Sequence, residues 1–152
     1  MSKRFNAPAD PPYEATIFVR DNCLCLHAQR AARALARRFD EALRPVGLTN
    51  GQFSLLMSLN RPEPPTIGSV ASLLAMDRTT LTAALKPLQR RELVDARIDP
   101  SDKRGRLLVL TDAGRHVLAE ALPIWERTHA EIDQTLGDID PDAVRTSLRV
   151  LS

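Results

Sequence analysis

Two groups of residues in this chain have types and spacings that could do chemistry. The first is Asn22-Cys-Leu-Cys-Leu-His27, which sets two thiols and an imidazole close together. Thiolates sense oxidants where the setting is electropositive, and Arg20 and Arg30 lie nearby in sequence. Cys23 and His27 would share a helix face at i, i+4, but no second cluster of His or carboxylates completes a tetrahedral metal site, so no metal is expected. On one continuous helix Cys23 and Cys25 point about 200° apart, so a disulfide would have to join subunits or a small thiol. Three readings stand: apolar thiols packed near an interface, a redox sensor centred on Cys25, and a metal site. The first asks least of the surroundings. His116 and His129 are isolated and read as packing or surface residues.

The second group is cationic. Asp99-Pro-Ser-Asp-Lys-Arg-Gly-Arg106 is a cluster of turn residues between two apolar arms, Val94 to Ile98 and Arg106 to Leu110, and predicts a hairpin with Lys103, Arg104 and Arg106 at its tip. A tip of that charge suits phosphate. The segment before it has the spacing of a helix-turn-helix. Thr66 can cap a helix carrying Ile67, Val70, Ala71 and Leu74, and Asp77 can cap the next, whose Leu81, Leu85 and Leu88 commit one face to the core. The opposite face offers Arg78, Thr79, Thr80, Thr82, Ala83 and Lys86, short or basic residues that let a helix sink into a major groove and donate to bases and phosphates.

The flanking elements must position these groups. Residues 1–12, with Pro8, Pro11 and Pro12, read as a flexible arm. A single long helix is predicted from about Ala15 to Leu43, with Leu24, Ala28, Ala31, Leu35, Phe39 and Ala42 as its apolar stripe and Arg30, Arg33, Arg37 and Arg38 on other faces. Thr49-Asn-Gly-Gln52 is a capping box opening a short helix through Phe53, Leu56 and Leu59, which Arg61-Pro-Glu-Pro-Pro65 ends. A second stripe runs through Leu118, Leu122, Trp125, His129, Ile132 and Leu136, and Asp140-Pro141 opens a last helix bearing Val144, Leu148 and Leu151. Pro87 and Pro123 fall inside helices and should bend them, Pro123 as a fixed kink rather than a hinge. The terminal helices carry more apolar surface than one small domain can bury, so a two-fold dimer is expected.

Composition is that of one soluble helical domain: 152 residues, 43% hydrophobic, 26% charged and only 4% aromatic. No apolar run long enough for a membrane span or a signal core is present, which predicts no membrane contact and a cytoplasmic location. Net charge is only +2, but residues 77–106 hold eight Lys and Arg against five Asp and Glu, while residues 112–152 hold four against eight. Positive charge is thus gathered on the helix-turn-helix and hairpin. No Gly-rich phosphate loop, paired carboxylate motif or His-containing triad pattern occurs, so neither an enzyme nor a cofactor is expected; a thiol peroxidase or disulfide oxidoreductase on Cys23 and Cys25 is the least poor enzymatic option.

These motifs together resemble the MarR family of winged-helix transcriptional regulators. Asp99, Asp102 and Arg104, then Leu110-Thr111 and Ala113-Gly114, are similar to that family's wing; Met76-Asp-Arg-Thr-Thr-Leu-Thr82 is similar to the start of its recognition helix, and Leu93-Val94 to the step between them. Ala83 departs from the pattern, standing where many members carry a basic residue. The resemblance implies a mainly α fold: a winged helix-turn-helix over residues 49–111 with a two-stranded β wing, inside a single domain of residues 13–152 whose segments 13–48 and 112–152 form a dimerisation region. It implies a homodimer that represses from a pseudo-palindromic operator in double-stranded DNA and is released by a small aromatic or phenolic effector. Arg78, Thr79, Thr80, Thr82 and Lys86 would meet the major groove, and Lys103, Arg104 and Arg106 the backbone or minor groove, with Asp102 steadying Arg104. The family's peroxide-sensing branch keeps a reactive Cys where Cys25 stands, 24 residues before Thr49, but Phe39 and Asn50 replace the two tyrosines of that branch. The alternatives are therefore a thiol-based sensor using Cys25 and a winged helix that docks another protein.

Overall fold

A computed structural model describes residues 10–152. The chain divides between Arg37 and Arg38 into two units. Most of the proline-rich arm, residues 1–9, lies outside the described residues; Asp10, Pro11 and Pro12 are exposed and lead into the first helix.

In the first unit, α1 (Tyr13–Asn22) is followed by the start of α2 (Leu24–Leu43), whose last turns belong to the second. The single helix expected from Ala15 to Leu43 is broken at Cys23, which turns to φ −79°, ψ 105°. The cause is local. The Asn22 amide donates to the Phe18 carbonyl, competing for the helix's own acceptor, while Cys23 keeps its N–H on Val19 O and offers both its carbonyl and its Sγ to the next helix, accepting from the N–H groups of His27 and Leu26. Cys23 thereby ends α1 and caps α2. Leu24, Ala28, Ala31 and Leu35 of the predicted stripe all remain exposed.

In the second unit, a 3₁₀ turn (Arg44–Val46) precedes α3 (Asn50–Leu59), α4 (Ile67–Leu73), α5 (Arg78–Arg90), β1 (Val94–Ile98), β2 (Arg106–Leu110), α6 (Asp112–Thr135) and α7 (Pro141–Leu151). Side-chain caps set most of these starts. The Thr49–Gln52 box is complete, Thr66 accepts from the Ser69 N–H, Asp77 from Thr80, Thr111 from Gly114 and Asp140 from Asp142. β1 and β2 pair antiparallel from Val94↔Leu110 to Ile98↔Arg106, the two arms read from the sequence. The segment before α4 joins them: Thr66 bridges Leu107 and the Leu108 N–H donates to Pro65 O. Two residues are too few to carry a periodic signal. α5 and α6 each continue through their prolines, Pro87 and Pro123, as single helices. No helix of the described residues is long and apolar enough to cross a membrane.

The core is one cluster from Phe39 and Leu43 through Phe53, Leu55, Leu56, Val70, Leu81, Leu85, Leu88, Leu93 and Leu108 to Leu118 and Ala121. It draws on α2 and α6 as well as on the elements between them, and α6 comes close to the chain just before β1. A Cβ on Gly114, in the first turn of α6, would stand 2.1 Å from the Leu93 carbonyl oxygen and 3.3 Å from Leu110 Cδ2. Thr111 clamps the same point from outside, its hydroxyl donating to Glu92 O while its N–H donates to Leu93 O. Gly114→Ala should therefore force α6 off the sheet and cost about 3 kcal/mol in a denaturant melt. A melt unchanged from the parent would show that this approach is not the constraint on α6.

Candidate nucleic-acid interface

The orientation of α5 is fixed from inside. Leu81, Leu85 and Leu88 are buried at 0%, 3% and 0% exposure against α4 and β1, each contributing roughly 1.5–3 kcal/mol. The far side must then face solvent. There Arg78, Thr79, Thr82, Ala83 and Lys86 surround a shallow hollow of about 320 Å³, and all are exposed.

Hydrogen bonding divides the three threonines. The Thr80 hydroxyl donates 2.6 Å to Asp77 Oδ2 while its N–H donates 2.8 Å to Oδ1, so Thr80 completes the cap of α5 and is not among the residues around the hollow. The Thr82 hydroxyl donates 2.7 Å to Arg78 O, which leaves its lone pairs as acceptors toward solvent. Thr79 keeps its hydroxyl free of protein partners among the described residues. The predicted reader Thr80 is thus a capping residue. The reason, an N-cap carboxylate three residues before a hydroxyl, is legible in Asp77-Arg-Thr-Thr80 once the cap is placed.

At the tip of β1–β2 the carboxylates work on the backbone. Asp99 Oδ1 accepts from the N–H and hydroxyl of Ser101, and Asp102 Oδ1 accepts 3.0 Å from the Arg104 N–H. The expectation that Asp102 steadies the Arg104 guanidinium is therefore replaced by a bond to its main chain, the ordinary reach of an aspartate to a residue two ahead. Arg106 turns back, donating to the carbonyls of Gly105 and Lys103, whereas Lys103 and Arg104 stay exposed. The glycine at the tip is close-fitted: a Cβ on Gly105 would meet Asp102 O at 3.2 Å.

Within the basic segment, Arg91 donates 2.8 Å to Gly47 O and Arg97 pairs with Asp95 at 3.6 Å. Arg78, Lys86, Lys103 and Arg104 are exposed and have no carboxylate partner among the described residues. Sequence counting could not separate these from their neighbours. Cys25, in the other unit, is exposed and its Sγ accepts 3.0 Å from the Gln29 amide, while Cys23 is half-buried at the helix junction. The i, i+2 argument against their pairing assumed one helix, which the break removes; both are free thiols. The His27 ring lies 3.4 Å from Asp21 O, and no group of three potential metal ligands gathers among the described residues.

The Thr80 hydroxyl holds the Asp77 carboxyl below the ordinary aspartate value of 3.8, and the Ser101 hydroxyl does the same for Asp99. Such bonds stabilise fully above 3.8 and are lost as pH falls through the depressed folded values. By NMR, both carboxyls should titrate below 3.8, and the Thr80 and Ser101 amides should exchange faster only at that acid end. Titration at 3.8 or above would mean that neither hydroxyl favours the ionised form.

Comparison with known proteins accords with this geometry. Residues 48–105 match the profile of the MarR family. The DNA complex of the transcriptional regulator MosR of M. tuberculosis superposes with a TM-score of 0.78 at 37% identity, over 86% of this chain and 93% of that one. The transcriptional repressor CouR, bound to a 23-mer DNA duplex, gives 0.78 at 30% identity over 88% and 94%, and CouR has also been solved with p-coumaroyl-CoA. BadR of Rhodopseudomonas palustris, a transcriptional activatory protein, is 29% identical over 86% of this chain and 75% of its own. With a matching helix-turn-helix and wing, and relatives covered over three quarters or more of their length, the chain belongs to the MarR family and is a DNA-binding transcriptional regulator.

Proposed function

We propose that this regulator binds a pseudo-palindromic operator as a homodimer in the cytoplasm, with α5 in the major groove and the β1–β2 tip at the adjacent minor groove, and that a small aromatic effector releases it from a promoter it represses. The observation that carries the DNA reading is the set of exposed, uncommitted donors on one lobe: Arg78, Thr79 and Lys86 on α5, Lys103 and Arg104 at the tip. Arg106, tied to its own turn, serves the wing's shape, and Thr80 and Asp102 act by ordering the backbone beneath the contacts. Half-sites of such a dimer lie about one helical turn, ~34–36 Å, apart.

Support for a second copy comes from the terminal helices. Neither α1 nor α7 buries a residue, and Tyr13, Val19, Leu148, Val150 and Leu151 are exposed at 50% or more. Apolar faces of that kind are covered in a stable protein. Support for an aromatic effector comes from a hollow of about 400 Å³ between α3, α4 and α6, lined by Phe53, Met57, Leu73, Leu74, Leu122 and Trp125 with Ser54 and Ser58 at its edge, and from the aromatic acyl ligand of CouR. Phe53 and Trp125 stack there at 6.2 Å between ring centroids, a flat wall suited to a flat ligand.

Titration of a labelled duplex, selected by the parent protein from a randomised pool, tests the DNA reading. Two chains should bind per duplex; Lys86→Ala and Lys103→Ala should each lower the salt slope by about one, and Arg104→Ala should also weaken the preference for A·T-rich flanks. Parent-like binding by all three variants would exclude this face. The effector reading is tested on the chain's single tryptophan. Phenolic acids or their CoA thioesters should change Trp125 emission and release the duplex together; if no aromatic acid does both, the hollow is not the effector site.

A further inference from the structure

Gly68 is the second residue of α4, and its backbone is helical rather than left-handed, so the chain conformation does not require glycine there. A glycine inside a helix weakens it relative to alanine. The space a side chain would take is filled by a neighbour. A Cβ at this position would stand 2.9 Å from Nη2 of Arg78, 3.6 Å from Cζ and 3.7 Å from Nε, so the whole guanidinium lies over the bare backbone of α4.

Arg78 is the first residue of α5 and one of the residues around its solvent-facing hollow. Its guanidinium lies against the bare Cα of Gly68, and none of its donors is committed to a protein acceptor among the described residues. That combination differs from Arg91, Arg97 and Arg106, whose positions come from hydrogen bonds or ion pairs that use their donors. An arginine ordered by packing keeps its planar fork of donors for a base edge or a phosphate and loses less side-chain freedom on binding.

We propose that Gly68 is a positioning residue for DNA recognition: the missing side chain forms a slot on α4 that presets Arg78 for the duplex. This rests on the reading of Arg78 as a DNA contact given above. A methyl group in the slot lifts the guanidinium off α4 without disturbing the core, because the atoms it meets are the end of a flexible side chain.

The test is a double-mutant cycle on the selected duplex, with Gly68→Ala, Arg78→Ala and the pair, each also followed by thermal melting. Gly68→Ala should melt at or above the parent temperature and bind roughly tenfold more weakly, a loss within the range for one good base or phosphate contact. In the Arg78→Ala background the same change should have no effect on binding. A Gly68→Ala protein that binds like the parent while Arg78→Ala binds weakly overturns the slot alone. Equal losses in both backgrounds also overturn it, since Gly68 would then act by its own approach to DNA. Parent-like binding by Arg78→Ala removes the contact itself and with it the inference.

Discussion

The row Leu81, Leu85 and Leu88 is the constraint on which the rest of the lobe depends. Three leucines with almost no exposure set the rotation of α5 about its axis, and that rotation decides what every other side chain of the helix meets. A half-turn of the helix would bring Arg78 or Lys86 inward without a carboxylate to pair with, at a cost of several kcal/mol. The polar face is outward because the apolar one has nowhere else to go.

Availability, rather than number, distinguishes the charges of this lobe. Asp77, Asp99 and Asp102 use their oxygens on backbone N–H groups, so negative charge sits where it orders turns and helix starts. Arg91, Arg97 and Arg106 are likewise engaged. What remains without a protein partner among the described residues is a small cationic set: Arg78, Lys86 and Arg90 along α5, and Lys103 and Arg104 at the hairpin tip. A net charge read from composition averages over these two populations and describes neither.

Periodic and capping signals made much of the fold legible in the sequence. Thr49, Thr66, Asp77 and Asp140 cap the helices they were expected to cap, and the hairpin arms have the bounds their apolar residues suggested. Such signals are local, and their physics acts within a turn or two of the chain. The misses were of another kind. The break at Cys23 depends on one asparagine amide winning a carbonyl from the helix, too small an effect to show in a stripe that runs on through Leu24. The Leu93 carbonyl that Gly114 approaches and the Arg78 guanidinium that lies beside Gly68 are ten and more residues away in the chain, beyond the reach of a local pattern. For the site, residue types marked out the face of α5 that is turned to solvent, while the partners of Thr80, Asp102 and Arg106 were set by hydrogen bonds that only coordinates supply.

The bridge made by Pro65 and Thr66 ties the hairpin to the helices before it. β2 is held on one edge by β1 and on the other by the residue that caps α4, through Thr66↔Leu107 and the bond from the Leu108 N–H to Pro65 O. The hairpin is therefore geared to the first helix of the helix-turn-helix. Leu73 and Leu74, at the far end of that short helix, line the apolar hollow, so α4 joins the wall of the hollow at one end to the sheet at the other. Any tilt of α4 would have to be taken up by these backbone bonds at the base of the wing. Geometrically the helix is a lever arm, with the hairpin tip and Arg104 at the end of it, about thirty residues later in the chain.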